Sequence, residues 1–203
     1  MYKLVKNQAR TETVINKSRF IGTSFSCSSE EEARKIVEQI RKEYSDATHN
    51  CYAFIFDTLG NGMRYSDDGE PQGTAGLPIL EVIKNKGLVN TGVVITRYFG
   101  GVKLGAGGLV RAYAGAAADV LNNSEIVEMC EGVIFNVIVD YTLSNVIEKS
   151  FGNALILSKE YSEVITYQLI VKKEQYQDLS SKITDFANGK VQIIKIKEEF
   201  YPF

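Results

Sequence analysis

The spacing of hydrophobic and polar positions changes repeatedly along this chain, and each change predicts an element. Glu12 to Cys27 mixes apolar and polar positions among many β-formers and reads as extended. Ser28-Ser29 before Glu30, Glu31 and Glu32 is a helix start, with hydroxyl caps and then acids where the dipole favours them. Ala33, Ile36, Val37, Ile40 and Tyr44 follow as one apolar face. Asn50–Phe56 reads as a strand, Gly60-Asn61-Gly62 as a turn and Met63–Ser66 as a short return strand. Ser66–Gly76 is irregular. A helix over Ala75–Asn85 follows, with Pro78 tolerable in its first turn. Thr91–Tyr98 is an apolar strand, then a glycine loop, then a helix over Leu109–Leu121.

Polarity rises over Asn122–Glu131, where the alanine run ends, and a domain boundary is expected there. The domains predicted are 1–127 and 128–203. The remainder reads as strand Gly132–Val139, helix Tyr141–Phe151, strands Ala154–Glu160 and Ser162–Val171, helix Glu174–Ala187 and strand Lys190–Glu199. Tyr176, Leu179, Ile183 and Phe186 mark the last helix, and Gly189 is placed to end it. This βαββαβ order is that of a ferredoxin-like split βαβ. The fold class expected is α+β in two domains.

Composition narrows the field. The chain has 203 residues, 44% hydrophobic and 24% charged, with a formal net charge of −2. The molecule is therefore no general electrostatic glove for nucleic acid, and any polyanion site must be local. Three cysteines, far apart, make no Cys-x-x-Cys pair, so free thiols in a reducing compartment are expected rather than zinc or disulfides. No signal-like or membrane-spanning apolar run is present, so the expected location is the cytoplasm and no membrane partner is expected.

The most informative stretch is Thr96–Asp119. A β-branched strand end feeds five glycines, Gly100, Gly101, Gly105, Gly107 and Gly108, and then an alanine-rich helix. Arg97, Lys103 and Arg111 are the only ionic groups from Arg97 to Ala118, and all are cations. Freed amides, a helix N-terminus and cations together suit an anion. Neither the Walker loop nor the dinucleotide fingerprint matches. Arg111 is expected in the first helical turn, where a cation opposes the macrodipole. An anion site and a tight packing turn stand as even alternatives.

A second cluster, Ser66-Asp67-Asp68-Gly69-Glu70-Pro71-Gln72-Gly73, places three carboxylates within four residues. A divalent-metal site, an acid/base pair, or pairing with Arg97, Lys103 and Arg111 are its readings, and internal pairing is favoured. The only histidine, His49, lies at a strand start, with Cys51 on the same strand face. A Cys-His dyad is the weaker reading, and a hydrogen-bonding or packing role the commoner one.

Together, Ala47-Thr48-His49-Asn50, Ser66–Gly76 and Arg97-Tyr98-Phe99-Gly100-Gly101-Val102-Lys103-Leu104-Gly105 resemble the YigZ/IMPACT family in order and spacing, over nearly the whole chain. The resemblance implies an N-terminal β-α domain of the ribosomal-protein and elongation-factor-G domain IV type. It implies a C-terminal ferredoxin-like βαββαβ domain similar to elongation factor G domain V. The family pattern picks out His49, Asp67, Asp68, Gly69, Glu70, Gly73, Arg97, Tyr98, Gly100, Gly101, Gly105, Gly107 and Gly108. Val102-Lys103 departs from it, since many members carry two apolar residues there.

The leading expectation is a cytoplasmic accessory factor or regulator of translation that binds RNA, the ribosome or another phosphate-bearing ligand. Arg97, Lys103, Arg111 and the loop amides would hold phosphate, and Tyr98 or Phe99 would stack on a base. No catalytic residue, metal or cofactor is assigned. One alternative is a Mg²⁺-dependent enzyme on a phosphorylated or nucleotide substrate, using Asp67, Asp68 or Glu70. The other is a regulatory module that binds a protein of the translation machinery.

Overall fold

The computed structural model describes all 203 residues, Met1–Phe203. The chain divides into two compact units, Tyr2–Glu128 and Met129–Phe203. It is an α+β protein with two antiparallel sheets.

In the first unit, strand β1 (Tyr2–Val5) precedes a hairpin of β2 (Ala9–Ile15) and β3 (Ser18–Ser26). The one extended stretch expected here is thus two strands. Their turn is Asn16-Lys17, with φ of 46° and 66°, the left-handed pair that a two-residue type I′ hairpin needs. It contains no glycine, so the usual sequence mark is missing. Helix α1 (Glu30–Glu43) starts as expected, with Ser29 Oγ accepting the Glu32 N–H at 3.2 Å. Strands β4 (His49–Ile55) and β5 (Met63–Ser66), helix α2 (Gly76–Asn85), strand β6 (Thr91–Tyr98) and helix α3 (Gly105–Asn122) complete the unit.

The sheet order is β2-β3-β6-β4-β5, antiparallel throughout, with β6 in the middle. Alternate residues serve two cores, as the period of two requires. Val93 and Ile95, with Cys51, Ala53 and Ile55, pack among Ile79, Leu80 and Ile83 of α2 and Leu109, Tyr113 and Ala116 of α3. Val94, Phe54 and Phe25 pack among Ala33, Val37 and Ile40 of α1. Gly22 lets α3 come close: a Cβ there would sit 3.0 Å from Val120 Cβ.

Helix α3 begins at Gly105, four residues before the expected Leu109. Gly105, Gly107 and Gly108 have poor helix propensity, which argues for loop. Burial of Leu109, Ala112, Tyr113 and Ala116 against the sheet carries the helix back through them. Arg111 therefore lies in the second turn, not the first, and the macrodipole conflict expected of it largely disappears.

Strand β7 (Ile126–Val139), most of which belongs to the second unit, begins six residues before the expected Gly132. Most of Asn122–Glu131, expected as a polar boundary, is therefore helix end or strand. The expected helix Tyr141–Phe151 is three short pieces: a 3₁₀ turn, α4 (Ser144–Ile147) and a second 3₁₀ turn. Strands β8 (Leu155–Tyr161) and β9 (Ile165–Lys172), helix α5 (Tyr176–Phe186) and strand β10 (Gln192–Pro202) follow. The strands lie in the order β10-β7-β9-β8, all antiparallel. Leu179 and Ile183 bury α5 against Phe135, Val137 and Leu169, while Phe186, expected on the same face, is exposed.

Candidate functional site: a cleft between the two motif loops

Three segments of the first unit converge. The register of β4 and β6 pairs His49 with Arg97, and that of β3 and β6 pairs Phe20 with Arg97. These side chains therefore share one face of the sheet, above Tyr113 of α3, whose ring meets Phe20 edge-on at 5.4 Å. The loop after β5 brings Glu70 to the same place.

Glu70 and Arg97 form a buried ion pair, with side chains 4% and 6% exposed and Nη1 donating to Oε1 at 2.5 Å. Tyr113 Oη also donates to Glu70 Oε1, at 2.8 Å. Arg97 Nη2 donates to Ser18 Oγ at 3.2 Å, while Arg97 Nε is buried without a partner. Burial and the nearby Cys51 and Glu70 push the Tyr113 phenol well above its ordinary range, so it stays a donor.

His49 Nδ1 lies 2.8 Å from the Asp68 carbonyl oxygen. A carbonyl only accepts, so Nδ1 carries a proton. Nε2 stands 3.8 Å from Glu70 Oε1. Cys51 lies on the same strand face, as expected, but it does not complete a dyad. Its thiol is buried, approaches the Asp67 carbonyl at 2.9 Å and Tyr113 Oη at 3.4 Å, and burial pushes its pKa far up. A thiol held protonated is no nucleophile at neutral pH.

The three carboxylates thus have three different employments. Asp67 reads the start of α2: Oδ1 accepts the Ala75 and Gly76 N–H groups at 3.0 and 2.8 Å, and Oδ2 accepts Gly73 N–H at 2.8 Å. It satisfies orphan amides that no local side chain caps. Asp68 pairs with Arg41 of α1 and accepts the Asn50 N–H at 2.6 Å. Only Glu70 pairs with a cation of the glycine loop. Positive φ at Asp68, Gly69 and Gly73, of 43°, 87° and 76°, gives the loop this shape.

The basic loop is likewise divided. Arg97 is buried and paired, whereas Lys103 and Arg111 are exposed and form no ion pair with any carboxylate. Gly100 touches the β2–β3 turn: a Cβ there would lie 2.0 Å from the Lys17 carbonyl carbon, so only glycine fits. Gly101 and Gly105 hold φ of 85° and 71°. Tyr98 donates to Asp46 at 2.8 Å and lies under the Arg19 guanidinium, 4.5 Å from its ring centre. Phe99, by contrast, is 47% exposed. Between the loops lies a cleft of about 360 Å³. His49, Glu70, Arg97, Phe99, Lys103 and Leu104 line it, and Gly105 and Ala106 of α3 form part of its rim.

Tyr113, Ser18 and Arg41 were missed as site residues. Tyr113 had a signal, as the one large polar-tipped residue in an alanine-rich apolar helix face. Ser18 and Arg41 had none, because they arrive from a hairpin and a helix distant in sequence.

The fold and this loop pair define a protein of the IMPACT class. The Impact N-terminal domain matches residues 16–121, and the chain belongs to the IMPACT family. It is 41% identical over 194 residues to the IMPACT family member YvyE of Bacillus subtilis (strain 168), covering 95% of this chain and 89% of that one. It is 31% identical to the IMPACT family member YigZ of Escherichia coli (strain K12), covering 91% and 92%. A solved structure described as that of a hypothetical protein aligns with a TM-score of 0.63 and 30% identity, over 98% of both chains.

Proposed function

We propose that this protein is a cytoplasmic accessory factor of translation that binds RNA or the ribosome through the surface around Phe99–Arg111. The observation that carries this reading is the pair of exposed, unpartnered cations, Lys103 and Arg111, beside the first turn of α3. That helix has no side-chain cap and no acid in its first turn, so its amides favour an anion. Phe99 supplies an exposed ring for stacking. Arg97 serves as scaffold beneath them rather than as a phosphate ligand.

The order β10-β7-β9-β8 supports reading the second unit as a ferredoxin-like domain of the elongation factor G domain V type. The β-α layout of the first unit supports the domain IV type. Asp67 and Asp68 already hold amides and Arg41, which favours binding over Mg²⁺-dependent catalysis.

The test is titration of labelled single-stranded RNA and of ribosomal subunits across a salt series. Lys103→Ala with Arg111→Ala should weaken binding and flatten the log–log salt slope by about 0.7 per lost phosphate contact on a single strand. Unchanged affinity and slope in the double variant would sink the assignment.

A further inference from the structure

We infer that the cleft beneath this surface is a discrete pocket for a single nucleotide, and that it prefers bases with an exocyclic amino group. The inference deepens the RNA reading and rests on it for the phosphate-holding rim, but the pocket stands on its own geometry. At about 360 Å³ it falls in the range of small-ligand sites, roughly 300–1,000 Å³.

Its lining divides into three chemistries. Phe99, Leu104, Leu109 and Pro71 make apolar walls fit for a flat heterocycle, and Phe99 keeps nearly half its surface open to stack. An acceptor stands at the inner end: Glu70, a carboxylate held in place by Arg97 and Tyr113, with His49 Nε2 3.8 Å from its Oε1. A base offering N–H groups satisfies it. At the rim, Lys103 and the uncapped first turn of α3 at Gly105 and Ala106 suit a phosphate.

A carboxylate at one end and a cation with amides at the other match a nucleoside monophosphate, not inorganic phosphate or a peptide carboxylate alone. Adenine, cytosine and guanine each carry an exocyclic amino group. Uracil carries none, and its one N–H is flanked by carbonyls that repel the carboxylate. A buried group built to accept a hydrogen bond discriminates strongly against a ligand that cannot supply it.

The probes are AMP, GMP, CMP and UMP, with inorganic phosphate and adenosine as part-ligands, titrated calorimetrically into the full chain. The expected result is binding of the amino-bearing monophosphates. UMP, phosphate alone and adenosine alone should each be at least about tenfold weaker, a difference of about 1.4 kcal/mol. Ala106→Phe, at an exposed rim position, should fill the cleft and abolish monophosphate binding. Phe99→Ala, also at an exposed position, should weaken it about tenfold.

Absence of binding by all four monophosphates, or binding that Ala106→Phe leaves unchanged, overturns the pocket. Equal affinity for UMP overturns its base preference. If Lys103→Ala with Arg111→Ala flattens the RNA salt slope while no monophosphate binds, the RNA surface stands and the pocket falls. If monophosphates bind and Ala106→Phe blocks them while RNA affinity ignores the two cations, the pocket stands and the RNA surface falls.

Discussion

Glu70→Gln isolates what the buried pair contributes. The amide keeps the shape and still offers Tyr113 an acceptor, but it leaves the Arg97 guanidinium charged, 6% exposed and without a counter-ion. Arg97 already has one unpartnered buried nitrogen, Nε, so its environment holds no reserve acceptor. Removing one member of a buried pair costs about 3–5 kcal/mol. For a unit of this size each kcal/mol lowers Tm by about 3–4 °C, so a fall of about 10–20 °C is expected. Glu70→Leu with Arg97→Met removes both charges and should recover most of that loss, because replacing a buried pair by apolar groups is often neutral. Glu125→Gln is the matched control, since it breaks the Lys6–Glu125 pair, whose side chains are 49% and 54% exposed, and should change stability far less than Glu70→Gln does. Urea unfolding of the three variants beside the parent chain closes the comparison. A Glu70→Gln cost under about 1 kcal/mol, or a double variant worse than Glu70→Gln, would refute a buried, mutually dependent pair.

The glycines of the basic loop should divide by role. Gly100→Ala drives a Cβ to within 2.0 Å of the β2–β3 turn backbone and should destabilise strongly or prevent folding, as read by thermal denaturation. Gly107→Ala meets nothing closer than Arg111 Nη1 at 3.8 Å, lies inside α3, and should stabilise by about 1 kcal/mol. The Cys27 thiol is pushed by burial from 9.0 to about 12, so the folded state holds its proton more tightly than the unfolded chain. That contribution to stability is complete below pH 9.0 and is lost as pH rises towards 12. Cys27→Ala should lessen the alkaline decline in Tm, and Cys27 should react with thiol reagents at pH 8 only on unfolding.

Much of the architecture was legible because hydrophobic period and caps are local. The span of β6, the capped start of α1 and the short return strand β5 all followed from neighbouring residues. The misses have local causes too. Asn16-Lys17 turns a hairpin through left-handed backbone without a glycine. The start of α3 runs against its own propensity because Leu109, Ala112 and Tyr113 are anchored on a sheet assembled elsewhere. The acid–base pairing favoured between the two loops was correct only for Glu70 and Arg97. Asp68 found Arg41, and Asp67 found backbone amides.

By itself, then, the sequence determined the inventory: an acidic loop, a basic glycine-rich loop, the lone histidine, and the family whose pattern they match. Tertiary structure alone decided which charges cancel. An ion pair depends on separation and burial, and those are set by strand register, here the pairing of His49 with Arg97 and of Phe20 with Arg97. Register buried Arg97 with Glu70. The same packing left Lys103 and Arg111 in water beside an open cleft. No spacing along the chain carries that distinction, because it arises between residues that the fold, not the sequence, makes neighbours.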